Sequence, residues 1–488
     1  VAQKLIHKDN LVITVSAPER KGVIVPTEKE ILAKYDEISK KDIPAYENVV
    51  LDKPLFDKKP VAGKIVDEKS IKDLGITELK LSNGIKVVLK QTDFQNDEVT
   101  FTSFAYGGHS LSTDKDFISS VSAASIINQS GAGNYDATQF EKYLAGKVVS
   151  VRASVDELSE RVSGSASTKD IELMFQLINL QFTAPRKDKE AFQSYISRLK
   201  SQIKESKNAP RAVFSDTINS IVTNYHFRGM PMTEERMNEI DLEKAYKFYI
   251  DRFAHAGDFT FFFVGNFQMD KIKPLIETYL AGIPSTGPKE TWKDNNIKPP
   301  KGKIEKTVLK GIEKQSTVRL IFSGNFDWSV QDRYQLTSLM EAFNIRLREV
   351  LREDTSGVYG AGAWASPRQF PRKEYRVDIT FGCDPKRVDE LIDVVLSIMD
   401  ELKTKALADT YIEKIKEIQK KAREVNLKEN NFWLNSLNNY YFNGEDPKLI
   451  LDYPNLVNKL TAQDLLKTAQ KYFVKDNFIR VVLKPENN

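Results

Sequence analysis

Cysteine is almost absent: Cys383 stands alone among 488 residues, which excludes an internal disulfide framework and a multi-cysteine zinc site. Histidine is nearly as scarce. The four, His7, His109, His226 and His255, lie too far apart for any two to occupy successive turns of one helix, the simplest way to supply two metal donors. Each reads as a surface or hydrogen-bonded side chain. No apolar run reaches membrane-spanning length, and the most apolar stretch, Phe259 to Val264, suits only a buried strand. Charge of one sign is not in excess either. With 72 basic and 68 acidic residues, interspersed and summing to +4, the chain has no dense basic face for nucleic acid. Gly131-Ala132-Gly133 and Gly360-Ala361-Gly362 lack the third glycine of a dinucleotide fingerprint, and neither a phosphate loop nor a Gly-x-Ser-x-Gly elbow occurs. Nothing nominates a nucleophile.

What is present points to a folded, duplicated protein. Hydrophobic residues make up 41% and charged residues 29% of the chain, ordinary for a globular protein, and the length favours two domains. Near the start, Lys8-Asp9-Asn10-Leu11-Val12-Ile13-Thr14-Val15 precedes Pro18-Glu19; near the end, Lys475-Asp476-Asn477-Phe478-Ile479-Arg480-Val481-Val482 precedes Pro485-Glu486. If the second copy is the last strand of a complete domain, the first reads as the last strand of a domain whose body is missing. Val1-Ala2-Gln3-Lys4 lacks the layout of a secretory signal, which means little if the chain begins in mid-protein.

The two bodies share an order of elements. Strand Val99 to Phe104 corresponds to Val318 to Phe322, and helix Phe117 to Asn128 to Arg333 to Arg352. Strand Arg161 to Ser167 and helix Ile171 to Phe182 correspond to Tyr375 to Gly382 and Val388 to Leu402. A more charged helix follows in each, Lys189 to Glu205 and Asp409 to Val425. Two copies of one α/β unit is the simplest account. The stretch from Pro26 to about Ile76 is rich in charge and proline and reads as a tether, with a short helix near Glu28 to Ile38. Pro284, Pro288, Pro299 and Pro300 mark a second, extended linker that would keep two rigid bodies apart.

This order, together with Leu81-Ser82-Asn83-Gly84-Ile85-Lys86-Val87-Val88 and Leu351-Arg352-Glu353-Asp354-Thr355-Ser356-Gly357-Val358-Tyr359-Gly360, resembles the pitrilysin/insulinase family of zinc peptidases. The resemblance implies an α+β fold of two tandem homologous units, each a mainly antiparallel sheet with helices packed on it. Residues 1–16 would be the terminal strand of an upstream unit, 17–76 a linker, 77–283 a degenerate third unit, 284–302 a linker and 303–488 the fourth unit. In that family an N-terminal half carries a His-x-x-Glu-His zinc helix, whereas Val121-Ser122-Ala123-Ala124-Ser125-Ile126-Ile127-Asn128 offers neither His nor Glu. The chain therefore resembles the C-terminal, non-catalytic half, with zinc expected in the N-terminal half and none here.

Arg352 and Tyr359 match the Arg and Tyr with which the family's last unit holds the substrate backbone. A guanidinium and a phenol are fixed donors suited to substrate carbonyls or to a tetrahedral oxyanion. Glu205 falls where active units place a third ligand but reads as a solvated helix charge. By resemblance, the partners are an N-terminal catalytic half and a peptide or unfolded protein, with no nucleic acid and no transmembrane segment, in a bacterial periplasm or envelope. The alternatives are a scaffold subunit of the same fold and an independent module that binds peptides or glycans.

Overall fold

The computed structural model describes residues 11–17, 22–42, 54–286, 289–354 and 358–486. It contains two compact units, divided near residue 52. Among the described residues the first holds one helix, Glu28–Ser39, started by a capping box in which Thr27 and Glu30 bond each other's main chain. The strand expected over Lys8 to Val15 is not found: residues 11–17 form no regular element, and 8–10 lie outside the described residues. An orphan strand has no ladder to satisfy its main-chain groups.

Among its described residues the second unit carries twelve strands in two sheets. In the first, β1 (Ile65–Ile71), β2 (Ile76–Leu81), β3 (Lys86–Gln91), β4 (Val99–Tyr106), β5 (Val149–Val155), β6 (Ser159–Ala166) and β7 (Thr260–Gly265) lie in the order β1-β2-β3-β7-β4-β6-β5. In the second, β8 (Ile304–Leu309), β9 (Ser316–Asn325), β10 (Val358–Ala365), β11 (Glu374–Cys383) and β12 (Phe478–Lys484) lie in the order β10-β11-β9-β12-β8. Read from β8, this is β8-β12-β9-β11-β10, the same as β3-β7-β4-β6-β5. The one parallel pair also recurs, β3 with β7 and β8 with β12. The duplication inferred from element order is thus a duplication of topology. Strand β1 lies inside the stretch read as linker: its burial pattern is exposed at five central positions, so no alternation signals a strand, yet it pairs along β2.

Each sheet has two covered faces. One carries its own repeat's helices: Phe117–Asn128 and Ile171–Thr183 pack on the first sheet, Val330–Arg348 and Val388–Thr404 on the second. The other face is covered by the opposite repeat. Helix Asn430–Phe442 sends Trp433, Leu434 and Leu437 against Val88, Phe104, Phe262 and Val264 of the first sheet. Reciprocally, helix Pro210–Val222 sends Phe214, Ile218 and Ile221 against Val308, Ile321, Ile479 and Val481 of the second. These helices occupy equivalent places in the two repeats, so the exchange is symmetric. Polar stitches secure the first contact: Thr92 donates to Asn430 Oδ1 at 2.6 Å, Asn430 donates to Glu98 at 2.8 Å, and Lys90 Nζ lies 3.7 Å from the Trp433 ring centre.

The segment from 289 to 301 is extended, but the expectation that it holds two bodies apart is overturned. Glu290 takes a bidentate bond from buried Arg252 at 2.6 and 3.1 Å, Lys293 N donates to Ser110 Oγ at 3.0 Å, and Arg372 of the second repeat binds Asp294 and Ile297 O. It is a strap stitched to both repeats. Prolines restrict φ whether a segment is free or anchored, so composition alone does not separate the two cases.

Candidate peptide-binding edge

Among the described residues the second repeat ends its sheet at β10, which pairs only with β11. Its outer side therefore presents main-chain groups with no neighbouring strand. One residue is already satisfied: Asn344, on helix Val330–Arg348, donates its amide to Ala363 O at 2.8 Å and accepts from Ala363 N at 2.8 Å. The side-chain amide takes the place of a strand residue. Because main-chain direction alternates along a strand, Ala361 points the same way as Ala363, and among the described residues no hydrogen bond reaches it from that side.

Tyr359 sits at the start of this edge. Pairing passes from Val358–Cys383 to Gly360–Gly382, so Tyr359 is the extra residue of a bulge, a device that turns a side chain out of the regular pleat. The residue is 74% exposed. A cavity of about 320 Å3 adjoins it, lined by Asn344, Arg348, Leu351, Tyr359, Gly360 and Ala361 among others. A Cβ added at Gly360 or Gly362 would meet nothing within 4 Å, so one face of the strand is left bare where another backbone can approach.

Arg352 lies in the π-helical turn Glu349–Asp354, which continues helix Val330–Arg348. Its side chain, and residues 355–357 with Gly357, lie outside the described residues. The turn's entry is fixed by Arg346, which binds Glu349 at 2.8 Å and Glu401 at 3.0 Å, while Tyr411 donates to Glu349 at 2.7 Å. Burial opposes ionisation of Glu349, but the bonds from Tyr411 and Arg346 outweigh it and hold the carboxyl below its ordinary range. The sequence reading missed two members of this site. Arg348 is exposed, lines the cavity and makes no ion pair among the described residues. Asn344 carried a signal, a lone amide between Phe343 and Ile345 in an apolar helix stretch, where Asn is a poor helix former.

A larger cavity, about 410 Å3, lies between the repeats beside His109, Arg228 and Glu374. Its charges are largely committed. Arg228 donates to the carbonyls of His109 and Ser112 and pairs with Asp114 at 2.7 Å, and Arg368 pairs with Glu374 at 2.7 Å. Burial, reinforced by Arg228, pushes His109 down to about 4, so it is neutral at physiological pH. Glu205 is exposed on its helix. Helix Phe117–Asn128 buries Ser119, Ser120, Ser122, Ala123 and Ala124 and carries no His, Cys, Asp or Glu; among the described residues no three His, Cys, Asp or Glu converge to hold a metal.

Residues 239–419 match the family model described as the peptidase M16 inactive domain. The whole chain aligns, at 25% identity, with 49% of a zinc protease PQQL-like protein of Arabidopsis thaliana, and 86% of it, at 24% identity, with 45% of a probable zinc protease PqqL of Haemophilus influenzae. Along its length the chain is similar to these zinc proteases, and the part of it that matches a family model matches the M16 inactive domain. Its fold is similar to part of the periplasmic protease PqqL from Escherichia coli, with a TM-score of 0.77 and 21% identity over 94% of this chain and 51% of that one. It spans about half the length of the curated relatives it matches, and the segment matching the inactive domain lies across both repeats. No described helix is long and apolar enough to cross a membrane.

Proposed function

We propose that this chain is the substrate-holding half of an M16 zinc endopeptidase, completed by an N-terminal half that bears the metal. The carrying observation is the free edge of β10, where unpaired main-chain groups, the outward Tyr359 phenol and an adjoining cavity meet. An extended peptide would add as a strand beyond β10, with its register ended by the Asn344 amide. Tyr359 and Arg352 would then donate to the carbonyl next to the scissile bond, or to the oxyanion that forms there. Closure of the two halves would exclude water and bulky substrates. The likeness to a periplasmic M16 enzyme supports a periplasmic or envelope location.

The test is cleavage of a denatured protein by the two halves together. Tyr359→Phe removes one neutral donor and is expected to lower kcat about tenfold, near 1.4 kcal/mol, with KM changed less. Arg352→Ala is expected to cost at least as much, because a charge-assisted bond is lost. Both variants cutting at the wild-type rate would sink the assignment. Absence of cleavage by the wild-type assembly would favour a scaffold instead.

A further inference from the structure

The first repeat ends its sheet in the same way. Among the described residues strand β5 pairs only with β6, and Asn128, at the end of helix Phe117–Asn128, donates to Ala153 O at 2.7 Å while accepting from Ala153 N at 3.2 Å. This is the Asn344–Ala363 arrangement again, at the equivalent strand. In both repeats the amide closes one residue of an otherwise open edge. By alternation, Val149 and Val151 direct their N–H and C=O groups the same way as Ala153. Among the described residues no hydrogen bond reaches either from the open side.

Beside these two residues lies a cavity of about 390 Å3, lined on the strand side by Val149 to Arg152 and on the other by Asn128, Gln129 and Gln181 among others. No carboxylate lines it, and Arg152, exposed and without an ion pair among the described residues, is its one charge. We propose that the edge of β5 is a second docking site, which takes an extended polypeptide segment bearing acidic side chains. Such a segment pairs its main chain with Val149 and Val151 and ends its register against the Asn128 amide. Its alternate side chains enter the cavity, where Arg152 and the amides of Gln129 and Gln181 receive carboxylates. The site is separate from β10 and stands whether or not Tyr359 and Arg352 act in catalysis.

The experiment uses the whole chain and labelled octapeptides of alternating Thr and Glu, or Thr and Lys. The Thr/Glu peptide is expected to bind more tightly than the Thr/Lys peptide and to slow amide hydrogen exchange over 149–153. Val151→Pro removes an outward N–H without touching the β5–β6 ladder, the one kind of strand position that tolerates proline, and is expected to weaken binding about tenfold. The same peptide N-methylated at every second residue should not bind, which decides the matter even if the proline variant melts early. Unchanged affinity in a well-folded Val151→Pro protein, or binding by the N-methylated peptide, overturns the proposal. Protection confined to 358–361, abolished by Ala361→Pro, also overturns it while leaving the role of β10 intact.

Discussion

Leu437→Ala is expected to destabilise both repeats together, by about 2–5 kcal/mol, the usual cost of truncating a buried leucine. Leu437 is fully buried and belongs by sequence to the second repeat, but its contacts are Phe262, Val264 and their neighbours on the first sheet. If the repeats were independent, a change in the second would melt the second. Because each covers the other, the loss propagates: the first sheet loses packing on its outer face, and helix Pro210–Val222, which the first repeat supplies to the second, loses its support. Urea unfolding of the wild type should then show one transition, and Leu437→Ala should shift it as a whole. Hydrogen exchange at Phe262 and Phe322, one from each sheet, should rise in step. Two separate wild-type transitions, only one of them moved by the substitution, would disprove the coupling.

Raising the pH from about 5 to 8 is expected to cost the fold roughly 3 kcal/mol through Glu160 alone, taking about 1.4 kcal/mol for each pH unit between its two pKa values. Its side chain is 2% exposed, and burial raises its carboxyl to about 7, from an ordinary 4.5. The N–H of Gly108, which donates at 2.7 Å, and the Arg252 guanidinium oppose that rise, while Glu290 on the strap adds to it. The native state thus holds a proton that the unfolded chain has released. Its contribution is complete below about pH 4.5 and is lost as pH climbs through 7. Glu160→Gln keeps an acceptor for Gly108 and cannot ionise, so its stability should be flatter over this range. Denaturation of both proteins at pH 5 and 8 gives the difference of differences; an equal decline in the two would remove Glu160 as the cause. Gly107→Ala is a poor substitute test, since an added Cβ would lie 3.0 Å from both Arg252 and Glu160 at a φ of +151°.

Local elements were the legible part of this chain. Helix Phe117–Asn128 is bounded where its serine-rich apolar run begins and ends, and Asp409–Asn426 where apolar residues recur at helical spacing. Strand β7 is a continuous apolar run because both its faces are covered. What periodicity cannot convey is the identity of the covering surface. Helix Asn430–Phe442 has an apolar side whichever sheet it meets, so the exchange between repeats was invisible, and the second linker was mistaken for a spacer. Strand β1, Ile-Val-Asp-Glu-Lys-Ser-Ile, was missed because an exposed edge strand carries charge where a buried one carries valine. Of the candidate site, Tyr359 could be chosen through the family resemblance. The amides of Asn128 and Asn344 needed three dimensions, since their partners lie 25 and 19 residues away.

The crossed helices also bear on how such a molecule can be divided. Neither repeat is a portable module: cut at the strap, each piece would keep a helix meant for its sibling and bare a greasy sheet meant to be hidden. Expressed apart, the pieces should clump or seek each other out, and recombination that shuffles one without the other should be sterile.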